Sequence, residues 1–133
     1  MVGILLLTHA PLGQAFVAAV AHVFHGPTER FEAIDVQPDQ DLGQVNDLAR
    51  SAIARLDDGS GVLVITDIKG GTPANCCNSL AEADRVEVLA GISLPMLLRA
   101  ITYRRDSLAV VVEMALAGAQ SGAVRVDNRI KLG

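Results

Sequence analysis

The sequence predicts an α/β fold: a doubly wound, mostly parallel sheet, strand order 2-1-3-4, with helices on both faces. Three observations point there. Apolar runs of strand length alternate with longer stretches of helical periodicity, in the order β-α-β-α-β-α-β-α. Two of the runs, "VGILLL" and "GVLVIT", are continuously apolar, the pattern of strands buried on both faces. The 133 residues are 50% hydrophobic and 20% charged, which suits one folded domain over residues 1–133.

Each element has its own signal. Val2–Leu7 is the first strand. Pro11 suits the first turn of a helix over 12–24, where Leu12, Ala15, Phe16, Ala19, Val20 and Val23 fall at helical spacing and Gly26-Pro27 ends the run. Arg30–Val36 alternates and predicts the second strand. Residues 41–56 form a second helix with Leu42, Val45, Leu48, Ala49, Ala52, Ile53 and Leu56 as its stripe. Gly61–Thr66 is the third strand, and a helix from Pro73 to Ala83 follows the loop "DIKGGTPAN". Arg85–Ala90 is the fourth strand, residues 94–103 and 106–120 are helical, and Val124–Val126 reads as a short C-terminal edge strand.

Composition excludes several functions. A net charge of -4 and a pI near 5.2 give no basic footprint for nucleic acid, and aromatics are only 3%, too few for base stacking. No apolar run reaches the ~20 residues of a membrane helix. Cys76 and Cys77 are adjacent, poor geometry for a disulfide, so the expectation is a reduced, cytoplasmic protein.

In parallel sheets ligands bind beyond the carboxyl ends of the strands, which directs attention to His9 and Asp67. His9 follows the first strand and Asp67 the third, neighbours in a 2-1-3-4 order. Either residue alone has an ordinary reading, a packed loop histidine and a loop carboxylate. Together they make an imidazole whose tautomer a carboxylate fixes, leaving one nitrogen as a nucleophile. Gly70 and Gly71 permit an unusual turn. With Thr72 and the helix that follows they form a phosphate-sized nest, or simply a capped strand-to-helix turn. Neither a Walker A loop nor a dinucleotide-binding glycine loop is present. His22 and His25 suit the end of the first helix, and "HVFH" is a weak metal signal, so no metal or other cofactor is expected. "YRRD", residues 103–106, reads as a solvated helix end.

The segments "ILLLTHAPLG", "VLVITDIKGGTPAN" and "VLAGISLPMLLRAI" resemble, in order and spacing, the enzyme IIA domain of the mannose-type bacterial phosphotransferase system. The resemblance runs from Val2 to about Gly122. It implies that His9 accepts a phosphoryl group from the phosphocarrier HPr and passes it to a IIB component, that Asp67 orients His9, and that Gly70, Gly71 and Thr72 surround the phosphoryl group. It also implies a homodimer in which the last strand is swapped, peripheral at most to a membrane permease. Lys69 departs from the aromatic residue common at that position in sugar-transporting members. The tail after Val124 carries no long linker, so a stand-alone IIA component is expected. The alternatives are a regulatory phosphoprotein whose histidine state controls a partner and, more remotely, a small tetrapyrrole metal chelatase.

Overall fold

The computed structural model describes residues 1–127 of the chain. Four parallel strands form one sheet in the order β2-β1-β3-β4: β1 is Gly3–His9, β2 Phe31–Val36, β3 Val62–Thr66 and β4 Val86–Ala90. The helices are α1 (Leu12–Val23), α2 (Leu42–Leu56), α3 (Thr72–Cys77), α4 (Leu94–Thr102) and α5 (Leu108–Gly122).

The period of two along a strand sorts the core into two halves. Ile4, Leu6, Leu63 and Ile65 face one side and pack against Val20, Met96, Leu97, Val111 and Ala115 from α1, α4 and α5. Leu5, Leu7, Val62 and Val64 face the other and pack against Val45, Ala49, Ala52 and Leu56 of α2, with Cys77 and Leu80. Because β1 and β3 are covered on both faces, their runs have no polar alternation. Asp41, Ser93 and Ser107 cap α2, α4 and α5, accepting from the N–H groups of Gly43, Met96 and Val110.

Three expectations need correction. The helix after "GGTP" ends at Cys77, not Ala83. Two side chains of α2 divert the chain: Arg50 donates to the Ser79 carbonyl (2.9 Å) and Asn46 Nδ2 to the Ser79 hydroxyl (2.8 Å). Leu80 then turns into the core, and Glu82 forms an isolated bridge with Val86. Val124–Val126 forms no strand; it leaves α5 with Val124 72% and Val126 91% exposed, and reaches neither sheet edge within the chain. Arg104 of "YRRD" is buried rather than solvated. Its guanidinium donates to the carbonyls of Val2 (2.9 and 3.0 Å), Glu29 (2.5 Å) and Arg30 (2.7 Å). Those carbonyls lie at the amino ends of β1 and β2. No helix among the described residues is long and apolar enough to cross a membrane.

Candidate functional site

Leu5, Leu7 and His9 alternate down one face of β1, and the last of them emerges from the core. The sheet pairing sets the rest: Leu7 lies opposite Thr66, the last residue of β3, so Asp67 follows β3 level with Thr8, the residue directly before His9. The side chains meet. Asp67 Oδ2 accepts from the backbone N–H of His9 (3.0 Å) and stands 2.8 Å from its Nδ1. Oδ1 accepts from the Ile68 N–H at 2.9 Å. The Asp67 side chain is only 6% exposed, whereas that of His9 is 50% exposed.

Burial is the largest single influence on the Asp67 carboxyl and pushes its pKa up. The two hydrogen bonds from His9, its charge and the Ile68 N–H together outweigh burial and hold the carboxyl below its ordinary range. At neutral pH Asp67 is therefore ionised and can only accept. The proton between the pair then belongs to Nδ1, and in the neutral ring the lone pair lies on Nε2.

The "KGG" turn closes over the other edge of the ring. Gly70 has φ 83°, which glycine adopts freely. Gly71 has ordinary extended angles, φ -75° and ψ 171°, and its contribution is closeness: a Cβ there would stand 3.2 Å from His9 Cε1. The Gly71 N–H is turned back to the Ile68 carbonyl at 3.3 Å. Thr72 opens α3 as its first residue, with Gly71 at the cap position; its side chain lies outside the described residues. The helix thus starts one residue earlier than the capping pattern predicts. Lys69 is exposed beside this turn, and His22 and His25 lie exposed at the far end of α1, away from the site.

Sequence reasoning missed Asp35. It sits at the carboxyl end of β2 opposite Thr8, and accepts from the Thr8 hydroxyl (3.2 Å) and from the N–H groups of Gly13 (2.9 Å) and Gln14 (3.4 Å). The available signal was position: an acid near the carboxyl end of a strand beside the one that carries His9. Around His9 the surface is shallow, a recess of about 180 Å³ lined by His9, Ala10, Val36, Gln37 and Pro38. A larger recess, about 500 Å³, lies toward the opposite end of the sheet, around Ser60, Asp84 and Asp106.

Fold and site together define a small parallel α/β protein that presents one half-exposed, carboxylate-held histidine at the carboxyl edge of its sheet. The comparisons place that class. The family model described as "PTS system fructose IIA component" matches residues 3–116, and the chain belongs to this family of phosphotransferase-system IIA components. The mannose-specific EIIAB component of Escherichia coli K12 is 27% identical over 117 residues, 87% of this chain. The chain spans 36% of that relative's length. The fructose-specific EIIA component of Bacillus subtilis is 26% identical over 105 residues, covering 78% of this chain and 71% of that one. Among solved structures, the EIIA component from Streptococcus agalactiae superposes with a TM-score of 0.83 at 22% identity, over 94% of this chain and 97% of that one. The mannose/sorbose-specific IIA subunit from Enterococcus faecalis gives 0.78 at 20% identity, over 95% of each chain. These structural likenesses show a shared fold.

Proposed function

We propose that this chain relays a phosphoryl group through Nε2 of His9, accepting it from phospho-HPr and delivering it to a IIB component. The observation that carries this reading is the 2.8 Å contact between His9 Nδ1 and buried, ionised Asp67. It aims the lone pair outward and stabilises the positive charge the ring acquires as its nitrogen attacks phosphorus. In that step the Nε2–P bond forms, the P–N bond of the donor histidine breaks, and the Nδ1 proton stays with the Asp67 contact. Onward transfer reverses the sequence on the acceptor. Phosphoryl transfer asks chiefly for positioning and charge stabilisation, which a fixed imidazole and a close backbone turn supply.

Gly70, Gly71 and Thr72 take the role of surrounding the phosphoryl group in this reading. The recess at His9, whose lining does not include that turn, falls short of the ~300 Å³ usual for a small-molecule pocket, which favours a protein as donor and acceptor. Ile68 (60% exposed), Leu42 (46%) and Leu12 (39%), which follow the ends of β3, β2 and β1, supply apolar contact area for docking. The exposed Val124 and Val126 suit pairing with a second copy of the chain, so a homodimer forms part of the proposal, as does a single domain over residues 1–133.

The test is phosphorylation of the purified protein with phosphoenolpyruvate, enzyme I and HPr. The expected result is one acid-labile phosphoryl group per chain, on the peptide containing His9, with the phosphorus signature of Nε2-phosphohistidine. No label, or label on another peptide, overturns the proposal. Gly71→Ala refines it: the added methyl presses on Cε1, next to the attacking nitrogen. Its labelling rate should fall by about tenfold with the fold unchanged by circular dichroism.

A further inference from the structure

We infer that Asp35 is a positioning residue for His9, an inference that rests on the relay reading above. The first N–H groups of a helix need outside acceptors, and a side chain at the cap position usually supplies one to the second or third residue. In α1 the cap position is held by Pro11, which provides no side-chain bond. Asp35, on a different element, takes over. Its carboxylate accepts from the N–H of Gly13 at 2.9 Å and of Gln14 at 3.4 Å, the second and third residues of α1.

The same carboxylate also grips β1. Oδ1 accepts from the hydroxyl of Thr8, a fully buried side chain directly before His9. Gly13 makes this triple meeting possible: a Cβ there would lie 2.7 Å from Asp35 Oδ1 and 2.9 Å from Thr8 Oγ1. The residue before His9 and the residue four after it are thus tied to one carboxylate. Between them, the Ala10 N–H donates to the carbonyl of Val36, the next residue after Asp35. The histidine sits between two acids with separate tasks. Asp67 holds the ring, and Asp35 holds the segment on which the ring is mounted.

The experiment uses Asp35→Ala, Asp35→Asn and Thr8→Val in the full chain. Two quantities are read: the ¹⁵N chemical shifts of the His9 ring nitrogens, and the rate of labelling as a function of phospho-HPr concentration. Asp35→Ala should lower the maximal rate about tenfold or more, leave the half-saturating HPr concentration unchanged, and bring the two ring-nitrogen shifts closer together as the tautomers mix. Asp35→Asn keeps an oxygen for Gly13 and Thr8 and should restore most of both signals. Thr8→Val should fall between them. A variant Asp35→Ala that loses only thermal stability, with maximal rate and ring shifts of the wild type, overturns the inference. Where Asp35→Ala fails to fold, unchanged ring shifts in Thr8→Val overturn it instead. Should the wild type take no phosphoryl group, the relay reading fails by itself, and the ring shifts still decide the role of Asp35.

Discussion

Replacing His9 by alanine is expected to abolish labelling by phospho-HPr, and replacing Asp67 by asparagine to slow it by about 10³–10⁴ while the fold persists. The asparagine is nearly the same shape, so the loss comes from hydrogen-bond sense. Asp67 Oδ2 serves two N–H groups of His9, and Oδ1 serves the N–H of Ile68. An amide has one oxygen. With that oxygen toward His9, its NH₂ confronts the Ile68 N–H. Flipped, the NH₂ confronts the His9 N–H and drives the ring proton onto Nε2, the nitrogen that must attack. Either arrangement damages the nucleophile. Single-turnover labelling measures the effect, and a rate within threefold of wild type would remove Asp67 from the proposed mechanism. A pH signature accompanies it. The folded-state pKa of Asp67 lies below its unfolded value, so its contribution to stability is complete above about pH 4 and is lost as pH falls through the folded pKa. The stability difference between wild type and Asp67→Asn, from urea melts, should therefore shrink on acidification below about pH 4.

The second large effect concerns stability. Arg104→Met is expected to cost about 3–5 kcal/mol, or roughly 10–20 °C in Tm. Arg104 is 6% exposed, and its guanidinium makes four N–H···O contacts to three carbonyls, of Val2, Glu29 and Arg30. Burial is the main influence on its pKa and lowers it, yet the group stays charged at neutral pH because arginine starts so high. Methionine fills similar volume and leaves all three carbonyls without that donor. Arg104→Lys should recover only part of the loss, because an ammonium cannot fork across carbonyls from two strands. Calorimetry settles the point: a Tm within 3 °C of wild type for Arg104→Met would refute this account.

The architecture was legible because its signals were local or periodic. Val2–Leu7 and Gly61–Thr66 carried unbroken apolar runs, and Asp41, Ser93 and Ser107 stand where caps belong. The meeting of His9 with Asp67 followed from strand order, since His9 ends β1 and Asp67 directly follows its neighbour β3. What escaped was set by partners distant in the chain. Arg104 looks like its neighbour Arg105 in sequence, and only the carbonyls of Val2, Glu29 and Arg30 distinguish it. The stop of α3 at Cys77 depends on Arg50 and Asn46 of another helix reaching Ser79. Asp35 caps a helix whose own cap residue is a proline, an arrangement that no motif around residue 11 announces. Val124–Val126 carried strand propensity, but propensity without an edge to pair with does not make a strand.

The position of Arg104 has a consequence for how such a protein can diversify. The Arg104 fastening is at the amino end of the sheet, about a strand's length from the histidine, and it engages main-chain carbonyls rather than side chains. The opposite rim, where Gln37, Leu42, Ile68 and Lys69 stand exposed, carries none of that fastening. Under the proposed relay, exposed positions there can vary with the partner while His9, Asp67 and the Arg104 contacts are kept. Engineering a new phosphoryl acceptor for this chain would begin at that rim and leave the amino end untouched.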